Sequence, residues 1–251
     1  MRKNLIIVGL ILSVAACESR SRSSEPRPLD EDDAAEIDRA LRPKNSAAVG
    51  IREGLAAAVM IDVSGSMREE APGSRERKIE IAKRAARDLV EQFARYADDR
   101  RAEPVELAIY EFSSERRGGD VREVVRMSRP DRAAAERAIA AMRADGGTPI
   151  GEAMIVGKRA LDATGLSRRH LLVITDGENT DGHNPSDVAT VLARRPVEER
   201  PSFYLVAFDV DARRFDGVKN AGGFVLEASS GKALGETIDS LLRGKILIER
   251  D

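Results

Sequence analysis

Two short stretches of this chain, Ala56–Ile61 and Leu171–Thr175, are unbroken apolar runs. A strand with one face in water alternates apolar and polar residues, whereas a strand covered on both faces does not. Such runs therefore demand a sheet with helices on both sides, which in practice means a mostly parallel sheet. Val105–Phe112 and Phe203–Phe208 read as further strands, Gly223–Ala228 as a last one, and Val121–Val125 as an antiparallel or edge strand. Amphipathic segments fall between them. Ile79, Ala82, Ala86, Leu89, Val90 and Phe93 recur at helical spacing with Lys, Arg and Glu on the other side. Asp131 can cap a helix carrying Ala134, Ala138, Ile139 and Met142. Another helix begins at Pro149 with Thr148 in the capping position, and Ser186–Ala193 and Ala233–Leu242 fit two more. The alternation predicts an α/β fold, with a doubly wound, mostly parallel central sheet flanked by helices.

The first apolar run leads directly into Asp62-Val63-Ser64-Gly65-Ser66. Alternate residues of an extended chain point the same way, so one carboxylate and two hydroxyls can converge where the strand ends. Hard oxygen ligands suit Mg²⁺ or another small divalent cation. Two further oxygen donors stand at comparable places: Thr148 in Gly146-Gly147-Thr148-Pro149, and Asp176 in Ile174-Thr175-Asp176-Gly177. In open parallel sheets ligands bind beyond the carboxyl ends of the strands, where Asp62 and Asp176 are expected. Taken singly, each residue has a plainer explanation: Ser64 and Ser66 as turn residues, Thr148 as a helix cap, Asp176-Gly177 as a strand-ending turn. Together they satisfy one geometry.

Asp62-x-Ser64-x-Ser66, then Thr148, then Asp176-Gly177 resembles the metal-ion-dependent adhesion site of a von Willebrand factor type A domain, with all five positions filled in order across roughly residues 51–247. The resemblance implies a Rossmann-like domain binding Mg²⁺, or Mn²⁺ or Ca²⁺ in its place. It further implies that the hydroxyls bind directly and that some carboxylate contacts run through water. One coordination position is then left for an Asp or Glu of a partner protein. The function expected on this basis is metal-dependent protein binding, not catalysis.

Composition narrows the partners. Lys+Arg 41 against Asp+Glu 43 leaves a net charge of −2, without the basic excess that phosphate binding needs. The chain has no Trp and few aromatics, which weakens base stacking and carbohydrate platforms alike. Nucleic acid is therefore excluded as the main partner. A domain of about 200 residues has core enough to fold alone, so a monomeric domain is expected.

At the N-terminus, Arg2-Lys3 precedes an apolar stretch, Leu5 to Ala16, too short for a comfortable membrane span. Val14-Ala15-Ala16-Cys17 resembles the lipobox of a bacterial lipoprotein, in which Cys17 would be lipidated and become the first residue after cleavage. Cys17 is the one Cys of the chain, so no internal disulfide can form. The expected organisation is a signal peptide at 1–16, the lipidated Cys and a flexible linker at 17–50, and the folded domain at 51–251. Ile37 and Leu41 at helical spacing would allow a short exposed helix in the linker. Anchoring at Cys17 would place the domain in a bacterial cell envelope, on the periplasmic side of a Gram-negative membrane.

Two other readings use the same residues. A strand-end Asp62 could attack phosphorus in a Mg²⁺-dependent phosphatase or phosphotransferase. The haloacid-dehalogenase-like pattern, however, expects a second acid two residues on, where this sequence has Ser64. Alternatively, the cation could serve only to fix loops in an envelope assembly. Glu178, Asn179, Thr180 and Asp181 read as solvated loop, and Asp209 and Asp211 as turn residues that a second cation could use. His170 and His183 lack Cys or His companions, which argues against zinc. The basic run Arg75 to Arg87 reads as the exposed face of the first long helix.

Overall fold

The computed structural model describes residues 29–43, 50–114 and 120–248. Six strands form one sheet: β1 (Arg52–Asp62), β2 (Val105–Phe112), β3 (Val121–Ser128), β4 (Leu166–Thr175), β5 (Ser202–Phe208) and β6 (Phe224–Ala228). Their order is β3-β2-β1-β4-β5-β6, parallel throughout except for the antiparallel pair β2–β3. The expected doubly wound architecture is the observed one. From β1 the chain builds outward through β2 to β3, then returns to the other side of β1 with β4. The carboxyl ends of β1 and β4 thus flank the point where the winding reverses, the place where open α/β sheets make a crevice.

Strand parity explains the unbroken apolar runs. Leu55, Ala57, Val59 and Ile61 of β1 enter one core, while Ala56, Ala58 and Met60 enter the other. The first core is covered by α2 (Lys78–Asp99), α3 (Arg132–Ala141) and α7 (Gly231–Leu241), and the second by α4 (Ile150–Thr164) and α5 (Pro185–Ala193). A short α6 (Asp216–Asn220) packs beside α5. The contact of α4 with the sheet is close: a Cβ on Gly157 would lie 2.4 Å from Leu171 Cδ1 and 3.0 Å from Met60 Sδ. Glycine makes this approach possible without displacing the Leu171 side chain. Strand β3 carries charges along an edge, as expected for a strand that must not recruit another chain.

Two expectations change. The segment expected to form a short exposed helix does form α1 (Glu31–Leu41), capped by Asp30, whose carboxylate accepts the Asp33 amide at 2.8 Å. That helix is not exposed on its apolar side. Ala34, Ile37 and Leu41 lie on one stripe and are buried against α4 and α5. Arg195 reinforces the contact with a 2.6 Å ion pair to Asp38. The folded unit therefore includes residues before position 51. Secondly, the basic run is not uniformly solvated, since Lys78 and Lys83 are buried. Both sit on the broad inward face of α2, Lys83 pairing with Glu80 and Lys78 turning toward the carboxyl ends of the strands. Cys17, the proposed signal segment and residues 17–28 of the linker lie outside the described residues.

Candidate metal centre

Three loops meet beyond β1 and β4, held together by main-chain hydrogen bonds. Asp145 N donates to Val63 O at 2.7 Å and Gly65 N to Gly146 O at 2.8 Å, fixing the loop after β1 to the loop before α4. Thr180 N donates to Thr148 O at 3.0 Å and the Thr180 hydroxyl accepts Thr148 N at 2.7 Å, fixing the loop after β4 to the same segment. Gly146 has φ 77°, and a Cβ there would stand 2.1 Å from the Ser114 carbonyl oxygen. The Gly-rich tripeptide before Thr148 is what lets the loops approach so closely.

The five residues singled out in the sequence gather at this junction. Asp62 is fully buried at the end of β1, its Oδ1 accepting Ser64 N at 2.8 Å and its Oδ2 accepting the Thr175 hydroxyl at 2.6 Å. Ser64 Oγ lies 3.1 Å from Ser66 Oγ, which donates to Asp176 Oδ1 at 2.7 Å. Ser64 precedes a 3₁₀ turn, Gly65–Arg68, yet makes no capping hydrogen bond through its side chain. Thr148 closes the set: a Cβ on Gly177 would lie 3.5 Å from Thr148 Oγ1 and 3.8 Å from Ser66 Oγ. Two carboxylates and three hydroxyls thus share one small polar hollow.

Electrostatics make that hollow costly without a cation. Burial, with the nearby Asp176 charge, pushes the Asp62 carboxyl up to about 7. Burial also raises Asp176, against the lowering effect of its hydrogen bond from Ser66 and its pairing with Lys78. Asp176 Oδ2 is buried without a well-formed hydrogen bond and faces the Lys78 ammonium at 3.1 Å. No three His, Cys, Asp or Glu side chains converge as a metal cluster among the described residues, so the donor set is of a different kind. Two close buried carboxylates with neutral hydroxyl oxygens between them match the requirements of a hard divalent ion.

Thr148 and its neighbours differ from the sequence reading in one respect. Pro149, not Thr148, occupies the cap position of α4, and the orphan amide of Ile150 is met from another loop by Asn179 Oδ1 at 2.8 Å. Asn179, Thr180 and Asp181 are accordingly structural parts of the rim; Asp181 Oδ2 accepts the hydroxyls of Ser114 at 2.9 Å and Thr180 at 2.6 Å. Asp209 and Asp211 do not join the hollow as a second cation pair. Asp211 turns to Arg213 at 2.6 Å and Asp209 to Lys78 at 2.8 Å. His170 is buried within β4, stacked 6.1 Å from Tyr204, and His183 lies 2.5 Å from Glu152. The residue that sequence reasoning missed is Lys78. It continues the stripe of Ala82, Ala85 and Leu89, and that spacing was the signal for its inward position.

Residues 57–178 match the von Willebrand factor type A domain family. Among curated proteins no sequence matches. Solved structures of similar fold include a von Willebrand factor type A protein from Catenulispora acidiphila (20% identity, TM-score 0.58), with 75% of this chain and 42% of that one covered. The PilB minor pilin from Streptococcus sanguinis is similar at 12% identity and TM-score 0.60, covering 79% of this chain and 63% of the pilin. The pilus adhesin SpaC from Lactobacillus rhamnosus GG is similar at 13% identity and TM-score 0.57, covering 78% of this chain and 31% of the adhesin. This chain therefore spans less than two thirds of each of these proteins, and at such identities the likeness is one of fold.

Proposed function

We propose that this protein, whose residues 57–178 match the von Willebrand factor type A domain family, is a metal-dependent protein-binding module that captures an acidic side chain of its partner. The observation carrying this reading is the convergence of Asp62, Ser64, Ser66, Thr148 and Asp176 from three loops into one largely buried polar cluster. These five residues would hold Mg²⁺, or Mn²⁺ or Ca²⁺, whose Lewis acidity would draw in a carboxylate oxygen from outside. Asp62 and Asp176 supply the balancing charge. The Ser64, Ser66 and Thr148 hydroxyls add neutral oxygens, leaving room for an added anion. That a minor pilin and a pilus adhesin are among the similar folds agrees with a binding role at a cell surface.

Binding is favoured over turnover by the state of Asp62. Both of its oxygens are engaged, by Ser64 N and the Thr175 hydroxyl, and it is fully buried. A carboxylate so placed is ill suited to attack phosphorus. Lipidation at Cys17 would carry the domain to the envelope, on the periplasmic side of a Gram-negative membrane, as the lipobox-like Val14-Ala15-Ala16-Cys17 indicates. No helix among the described residues is long and apolar enough to cross a membrane.

The test is capture of partners from envelope extracts with Mg²⁺ or with chelator, using the native chain and Asp62→Ala/Asp176→Ala. Capture that needs Mg²⁺ and is lost in the folded double variant is expected. Capture indifferent to both chelator and substitution, or Mg²⁺-dependent turnover of a phosphate ester abolished by Asp62→Asn, would overturn the reading.

A further inference from the structure

Lys78 has no role in the ligand set, yet it is built into the site. It opens α2 with only 5% of its surface exposed. Its ammonium lies 2.8 Å from Asp209 Oδ2, 3.1 Å from Asp176 Oδ2 and 3.7 Å from Glu69 Oε2. A surface lysine keeps its charge in water and buries only its stem. Here the charge itself is buried, which is sustained only by paired carboxylates. Asp209 supplies one of them from the end of β5 in a left-handed conformation, φ 56°, the only non-glycine residue with positive φ among the described residues.

We infer that Lys78 is a tethered counter-cation of the metal centre, competing with the divalent ion for Asp176 and holding down the affinity of the site for that ion. The inference rests on the metal-binding reading above. In the metal-free protein Lys78 lets Asp176 remain in a buried position that an unpaired carboxylate could not sustain. A divalent ion entering the hollow must then share Asp176 with a fixed positive charge in surroundings of low dielectric, where like charges repel strongly. Asp209 offsets part of that repulsion by holding the ammonium at 2.8 Å. Occupancy of the centre would consequently follow the ambient cation concentration instead of being permanent.

The experiment is Mn²⁺ binding to the full chain, measured by calorimetry and by loss of the free-ion paramagnetic signal, for the native protein, Lys78→Met, Asp209→Asn and Asp62→Ala. Met keeps the length of Lys without its charge, and Asn tolerates the left-handed conformation as Asp does. Lys78→Met is expected to bind Mn²⁺ about tenfold more tightly, to melt lower than the native chain without metal, and to gain more from Mn²⁺. Asp209→Asn should bind several-fold more weakly, which keeps the inference decidable even where Lys78→Met does not fold. Native binding abolished by Asp62→Ala but unchanged or weakened in Lys78→Met, or unweakened in Asp209→Asn, overturns the inference and leaves the metal reading standing. No Mn²⁺ binding by native chain or Lys78→Met removes both.

Discussion

The Thr175 hydroxyl donates to Asp62 Oδ2 at 2.6 Å, joining the last residue of β4 to the last residue of β1. The parallel register brings the two together, since Ile61 pairs with Ile174 one position earlier. Thr175 is completely buried and also hydrogen-bonds the loop that follows Asp176. It orients a proposed ligand without being one. Thr175→Val keeps the shape and removes the donor, leaving a buried carboxylate oxygen unsatisfied. Such a loss costs about 1–3 kcal/mol. The variant is expected to unfold at lower urea concentration and to bind Mn²⁺ more weakly than the native chain. Equal midpoints and equal affinities would show that Thr175 does not hold Asp62.

Asn179 caps α4 from a loop remote in sequence, accepting Ile150 N at 2.8 Å. The helix start and the loop after Asp176 therefore depend on one side chain. Asn179→Ala should destabilise the fold by about 1 kcal/mol, the usual cost of a lost cap. Asn179→Asp, which retains the acceptor and adds negative charge near the helix N-terminus, should recover most of it. Chemical denaturation of the three proteins checks the order: native and Asp variant together, Ala variant below.

Leu41 tests whether α1 is a docked part of the domain. It is fully buried, packed with Ile37 into the core formed by α4 and α5. Leu41→Ala should cost about 2–5 kcal/mol, the range for emptying a core leucine site. A solvated linker helix would lose only a few tenths. The denaturation midpoint separates the two outcomes.

How much of this was legible in the sequence depended on where the information sat. The sheet was readable because strands covered on both faces must be apolar at every position, as Ala56–Ile61 and Leu171–Thr175 are. The five residues of the cluster were readable because each lies at or just beyond the end of a strand or just before a helix, and fold topology then brings those segments together. The docking of α1 was not, because Ala34, Ile37 and Leu41 form a stripe that would also suit a marginal exposed helix, and their covering lies some 110 residues or more downstream. Lys78 escaped for a related reason. Its stripe with Ala82, Ala85 and Leu89 marks an inward face, but a lysine there is taken as solvated unless Asp176 and Asp209 are seen to meet it. The role of Asn179 is a contact between loops, which no local pattern encodes.

His170 gives the fold an acid-sensitive element away from the proposed metal centre. Burial, with the Arg168 charge beside it, pushes its imidazole down to about 4. An unfolded His takes up its proton near pH 6.5. Between those values the unfolded chain binds a proton that the folded chain refuses, so stability is fully present above about pH 6.5 and falls as the solution is acidified toward 4. The linkage relation puts the loss at about 3 kcal/mol by pH 4. Asp62, raised to about 7, works in the opposite sense over the same window, because the folded state takes up its proton first. The measurement must therefore be a difference between two proteins that share Asp62. His170→Phe keeps a ring against Tyr204 and cannot be protonated. Urea midpoints at a series of pH values from 7.5 to 4 should show the native chain losing stability relative to His170→Phe, with the gap opening below about pH 6.5. Parallel curves over the whole range would mean that His170 is as readily protonated in the folded protein as in the unfolded chain.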